Sequence, residues 1–224
     1  MAARARGASG PAVRVTRAGE KGGALPRLHA ITDERIARRP DMDDVARALA
    51  AGGGERLALH ARGRGLSGRE HYELATRLAV YPPTRLFIND RLDVALAVGA
   101  AGVQLGAASL DPQDARRLEP RWWIGKSVHD LAEAEAARAS GADYLLAGPL
   151  YGTATHPDRE PLGLARLGPI VGLGLPVIAI GGVTPQRVAE VRGAGAYGVA
   201  AIRALWDAGD PADAARLMLE EWQS

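Results

Sequence analysis

Eight short apolar runs recur along the chain, each separated from the next by a longer stretch of different period. The runs are LHAIT (28–32), RLALHAR (56–62), RLFIND (85–90), GVQLG (102–106), WWIGKSV (122–128), YLLAGP (144–149), PVIAIGG (176–182) and GVAAIR (198–203). Between them lie stretches such as DMDDVARALAA, REHYELATRLAV, DLAEAEAARAS and TPQRVAEVRGAG. Their apolar residues return at three- and four-residue steps, and Gly or Pro tends to close them, which is the pattern of helices. Eight strands alternating with helices define a parallel α/β fold. The units are evenly short, and no G-x-G-x-x-G follows the first strand. A single closed (β/α)8 TIM barrel therefore fits better than an open doubly wound sheet. The junctions GAAGVQLG, GADYLLAG and GAYGVAAI agree: each ends a helix at Gly-Ala and enters the next strand at once,.

In such barrels the chemistry sits at the C-terminal ends of the strands. After the seventh run come Gly181 and Gly182, then Thr184-Pro185 opening a helix. Bare backbone and a helix start at this position suit a phosphate, which the loops after the seventh and eighth strands of such barrels commonly bind. On the second run His60, Arg62 and Arg64 share one parity, so all three are expected to face the barrel mouth and meet an anion there. The fifth run places Ser127 and His129 on one face, while Lys126 points the other way and is expected to be structural. Among the five scattered histidines no H-x-x-x-H pair or carboxylate–histidine cluster has metal spacing, so proton transfer is the favoured use of His129,. Asn89 and Asp90 end the third run. Thr153, Thr155 and His156 fall on a polar stretch after the sixth, expected to act as a lid.

Composition changes the picture little. A chain of 224 residues with 47% hydrophobic content supports one sizeable core,. The net charge of +2, the lack of basic runs and a single Phe argue against a nucleic-acid surface,. No apolar run is long enough to span a bilayer, so no membrane partner is expected, and the absence of cysteine suits a cytoplasmic protein,. Residues 1–27 are rich in Arg, Ala and Gly without apolar periodicity and read as a flexible basic tail, leaving 28–224 for the barrel,.

The segments LHAITD, FINDRLDVALAVGAAGVQLG, GKSVHDLAEAEAARASGADYLLAGPLYGT and PVIAIGGVTPQRVAEVRGAGAYGVAAI together resemble the thiamine phosphate synthase superfamily, over about residues 28–222. The resemblance implies a (β/α)8 barrel and one of two chemistries. Synthases of the family join a pyrimidine methyl pyrophosphate to a thiazole phosphate, expelling pyrophosphate with Mg²⁺. Thiazole tautomerases of the TenI-like branch instead aromatise a thiazole carboxylate phosphate by moving one proton, with no metal or cofactor.

Three places depart from the synthase pattern. Q-x-R-x-K is replaced by His60-Ala-Arg62-Gly-Arg64, the Asp of H-x-G-Q-x-D by Ser109, and the Lys of T-x-T-K by His156. Arg203 stands where both branches usually carry a small Ser. These departures favour the tautomerase, an isomerase. The resemblance then implies His129 as the proton carrier and His60, Arg62, Arg64, Asn89 and Ser127 around the substrate carboxylate and ring. It also implies Gly181, Gly182, Ala201 and Ile202 on the phosphate, no cofactor, and a small-molecule thiazole phosphate carboxylate as ligand. A homodimer is compatible with the sequence. The alternatives are a synthase with an altered site and a non-catalytic thiazole phosphate-binding regulator.

Overall fold

Alternate residues of eight parallel strands meet in one interior, and their sizes decide how the sheet closes. The computed structural model describes residues 23–153 and 160–222. In chain order the elements are β1 (Leu28–Ile31), α1 (Glu34–Ala37), α2 (Met42–Gly53), β2 (Leu57–Ala61), α3 (Gly68–Leu78), β3 (Arg85–Asn89), α4 (Leu92–Val98) and β4 (Gly102–Leu105). There follow α5 (Pro112–Leu118), β5 (Trp123–Val128), α6 (Leu131–Ala139), β6 (Tyr144–Ala147), α7 (Gly163–Val171), β7 (Val177–Ile180), α8 (Val188–Gly193), β8 (Gly198–Ala201), α9 (Arg203–Trp206) and α10 (Pro211–Glu220). Every strand pairs in parallel with the next, and β1 pairs with β8, closing the barrel. The eight apolar runs are the eight strands, shifted by only a residue or two at their ends.

One parity of each strand faces outward. Leu28, Ala30, Leu57, Leu59, Ala61 and Ile88 pack there beneath the helices in a continuous apolar layer. Each fully buried Leu or Ile of this layer contributes roughly 1.5–3 kcal/mol. Local signals start the covering helices: Ser67 and Glu70 form a reciprocal capping box on α3, and Asp130 accepts the Glu133 N–H at the start of α6,.

The other parity fills the barrel. Phe87, Tyr144, His29 and His60 form a cluster of rings in its lower half, with His60 stacked on Phe87 at 5.1 Å between centroids. Two glycines make room for it. A Cβ on Gly102 would lie 2.5 Å from Phe87 Cε1, and one on Gly125 would lie 2.2 Å from Tyr144 Cζ. Large residues on some strands thus face glycine on their neighbours.

Beneath the rings, Leu25 is buried and the Arg27 backbone bonds both Arg56 and Val199. Of the stretch expected to be a mobile tail, Leu25–Arg27 are therefore part of the barrel bottom, while residues 1–22 lie outside the described residues. No helix among the described residues is long and apolar enough to cross a membrane.

His29 and His60 are both fully buried, and His29 Nδ1 lies 2.8 Å from His60 Nε2. Burial opposes the charged ring: it drives the His29 pKa well below the ordinary value and lowers that of His60 from 6.5 to about 4,.

Two expectations follow from this interior. Gly125→Ala should lower the unfolding free energy by about 3 kcal/mol, because the added methyl meets a ring that cannot retreat. Urea denaturation measures it, and a loss under 0.5 kcal/mol would mean the interior is looser than described. Between pH 6.5 and 4 the unfolded chain binds a proton at position 60 that the folded chain refuses. The stability present above pH 6.5 should therefore fall by about 3 kcal/mol by pH 4 on account of His60 alone. His60→Gln should flatten the acid side of a thermal-midpoint profile, and an unchanged slope would contradict the assignment.

Candidate active site

Above the ring cluster the interior side chains become small, and a cavity of about 530 Å³ opens at the C-terminal ends of the strands. Arg62 and Arg64, just past the end of β2, line it as their parity requires. Arg62 is partly buried, yet among the described residues its guanidinium makes no ion pair or hydrogen bond. Burial, and after it the neighbouring Arg64, lowers its pKa from the ordinary arginine value. A partly buried cation without a counter-ion is costly unless the cavity receives an anion. Glu34, Asp90 and Asp33 offset part of that cost from a distance, and Glu34 is also engaged by the Gly65 N–H at 2.7 Å.

His60 does not join the arginines. It lies one layer deeper, fully buried, and bonds Asn89, which lines the cavity and whose Oδ1 is 3.1 Å from His60 Nδ1. The expectation that His60 faces the ligand is corrected accordingly: parity gave its face but not its depth.

Across the cavity, His129 is held twice by one carboxylate oxygen. Its backbone N–H and its Nδ1–H both donate to Glu133 Oε2, each at 2.8 Å. That fixes the tautomer and leaves Nε2 as the ring's acceptor on a side chain that lines the cavity,. Sequence reasoning missed Glu133, although its spacing of four from His129 at a helix start signals the contact. Ser127 also lines the cavity, and Gln104 Nε2 lies 3.0 Å from its hydroxyl. Lys126 points away and donates to Gly106 O at 2.9 Å, the structural role expected of it.

Asp90 is the one non-glycine residue among those described with positive φ, at 62°. Such strain persists where surrounding bonds hold it, and here Asp90 Oδ1 accepts the Gly106 N–H at 2.9 Å and the Ser109 hydroxyl,. Ser109 thus fastens Asp90 to the loop after β4.

On the far wall, Gly181 and Gly182 have φ of 96° and 68°, and a Cβ would fall 2.6 Å from Pro149 Cα and 2.8 Å from Tyr151 Cβ respectively. Both conformation and space demand glycine. Ala201, Ile202 and Arg203 line the same wall, where α9 begins and its first N–H groups lack intrahelical partners,. Thr184 stands at the helix start as expected, without a side-chain cap bond. Thr153 lines the cavity, whereas Thr155 and His156 lie outside the described residues.

The fold and site define a (β/α)8-barrel protein whose strand-end cavity carries two arginines on one wall, neither ion-paired among the described residues, and a glycine-rich turn with a helix start on the other. The family model for thiamine monophosphate synthase matches residues 28–205, and the chain belongs to that family. A curated Thiamine-phosphate synthase of Methanoculleus marisnigri is 45% identical over 195 residues, covering 84% of this chain and 92% of its own. One of Salinispora tropica is 42% identical over 204 residues, covering 88% and 97%. The solved thiamine phosphate pyrophosphorylase of Pyrococcus furiosus superposes with a TM-score of 0.76 at 34% identity, covering 87% of this chain and 94% of that one.

These similarities overturn the expectation of an isomerase. The relatives bear the name of a transferase, and the tautomerase branch is not what they single out. Two of the departures that favoured it also lose weight physically. The exchange of Gln for His60 lies in the core, not in the cavity, and Arg64 keeps the positive charge of the lysine it replaces.

Proposed function

We propose that this chain is a thiamine-phosphate synthase, coupling a pyrimidine methyl pyrophosphate to a thiazole phosphate. The observation that carries the reading is Arg62, a partly buried guanidinium beside Arg64 in the cavity, which among the described residues feels Glu34, Asp90 and Asp33 only at a distance and makes no direct ion pair. In the reaction the bond from the methylene carbon to the pyrophosphate oxygen breaks, and its electron pair leaves with pyrophosphate. The lone pair of the thiazole nitrogen forms the new carbon–nitrogen bond. Arg62 and Arg64 are placed to bind the pyrophosphate and to meet the negative charge that grows on it as the bond breaks. The turn at Gly181–Gly182, with the start of α9 at Ala201–Arg203, holds the thiazole phosphate on the opposite wall. Asn89 and Ser127 contact the organic part between them, and His129, steadied by Glu133, offers Nε2 as an acceptor. Thr153 lines the site beside them.

Synthases of this family use Mg²⁺, and the residues here fit a protein-built site poorly. Asp90 is the one carboxylate lining the cavity among the described residues, and its Oδ1 is taken by Gly106 and Ser109. No group of three or more His, Cys, Asp or Glu residues among those described is arranged to hold a metal. A near-octahedral Mg²⁺ shell needs more oxygen donors than this. No step is therefore assigned to a metal, and the leaving-group charge falls to the arginines.

The test is ³¹P NMR of the protein mixed with both substrates in buffer containing Mg²⁺. Pyrophosphate and thiamine phosphate should appear together in equal amounts. Arg62→Ala should lower kcat/KM for the pyrimidine substrate by about 10²–10³-fold, as expected when a charge-stabilising donor is removed. No coupled product from the folded wild-type protein would refute the reading.

A further inference from the structure

The glycine turn on the cavity wall is fastened from behind, and the fastening decides where its N–H groups point. Tyr151, after β6, donates its backbone N–H to Gly181 O at 3.0 Å. Arg187, just before α8, donates from Nη1 to Gly182 O at 2.7 Å. The same guanidinium lies over the Tyr151 ring, 4.3 Å from its centroid, within the range of a cation–π contact,. That ring is held at its far end too, since its hydroxyl donates to the carboxylate of Glu190 in α8. Burial, and after it Glu190, pushes the Tyr151 pKa up to about 12, so the hydroxyl keeps its proton at neutral pH,. Tyr151, Arg187 and Glu190 do not line the cavity; they stand behind its wall.

Both peptide bonds that follow Gly181 and Gly182 are trans, so each points its C=O and its N–H in opposite directions,. With Gly181 O turned to Tyr151, the Gly182 N–H turns away from β6 and toward the end of β8. With Gly182 O turned to Arg187, the Val183 N–H turns away from the clamp and toward the cavity. Gly182 and Val183 both line the cavity, and among the described residues neither N–H has an acceptor. Two successive bare N–H groups suit an anionic oxygen. A glycine turn has other conformations within reach, so the bonds behind it are what keep these two groups aimed.

We propose that Arg187, seated on Tyr151, is a positioning residue that fixes the Gly182–Val183 peptide so that its N–H meets the phosphate of the thiazole substrate. The identity of that ligand rests on the synthase reading; the aim of the N–H groups does not. Arg187 thus acts on one substrate of the two, without touching it, and independently of Arg62 and Arg64 on the opposite wall.

The first test follows the Gly182 and Val183 amides by ¹H–¹⁵N correlation while inorganic phosphate is added. In the wild-type protein both signals should move and saturate, and no movement would overturn the proposal. Arg187 is exposed, so Arg187→Ala leaves the core intact. It should weaken phosphate about fivefold or more, and a loss under about twofold would overturn the positioning role. Tyr151→Phe keeps the ring face and should bind as the wild type does. Tyr151→Leu removes that face without changing charge and should behave like Arg187→Ala. Wild-type affinity in Tyr151→Leu would mean that Arg187 acts through its charge alone, against the proposal. In steady-state coupling, Arg187→Ala should raise KM for the thiazole phosphate about fivefold or more and leave KM for the pyrimidine substrate within about twofold. An equal rise in both would mark a merely structural role. If phosphate moves the amides but no coupled product forms, the synthase reading falls, and the phosphate titrations of the variants alone decide on Arg187.

Discussion

Closing eight strands into one barrel forces every second residue of each strand into a shared interior, and that interior has to be filled. Its lower half is filled by rings: Phe87, Tyr144, His29 and His60 interlock, with Gly102 and Gly125 giving up their side chains to admit them. Above them the chain changes to residues such as Ala200, Ala201, Gly181 and Gly182, and the filling stops. The cavity is thus the upper part of the same interior, left open by side-chain size. Its walls inherit the rigidity of the sheet, and this is what lets a few polar groups be held in fixed relation.

The polar groups are divided by wall. Arg62 and Arg64 bring positive charge on the side of β2, and the glycine turn after β7 brings bare backbone on the other side. Asp90, the only acid on the cavity among the described residues, is held by Gly106 and Ser109 at the edge, in a backbone conformation that costs energy,. On the proposed reading, this balance suits two anionic groups bound some distance apart. Pyrophosphate on one substrate and phosphate on the other meet that description, and the chain's membership of the thiamine monophosphate synthase family agrees with it.

Much of this was legible from residues alone. The apolar runs marked all eight strands because each parallel strand is buried on both faces, and strand parity put Arg62, Arg64, Ser127 and His129 on the cavity,. The positive φ of Gly181 and Gly182 agrees with a turn that needed glycine. What parity cannot give is depth. His60 shares its face with Arg62 but lies one layer lower, where it meets His29 and Phe87 instead of a ligand. The loss of a carboxylate at Ser109 was visible, but its bond to Asp90 depends on how the β4 loop folds back. The choice of chemistry went astray for a related reason. Differences at single motif positions were weighed as if all of them touched the ligand, whereas His60 is core and Arg64 preserves charge.

The most direct measurement on the proposed function is a calorimetric titration of inorganic pyrophosphate into the wild-type protein and into Arg62→Ala. One site per chain, lost or weakened at least tenfold by the substitution, is the result that a partly buried guanidinium with no direct ion pair among the described residues predicts. No site in the wild-type protein, or equal affinity in the two, would contradict the assignment of this cavity to a pyrophosphate-bearing substrate.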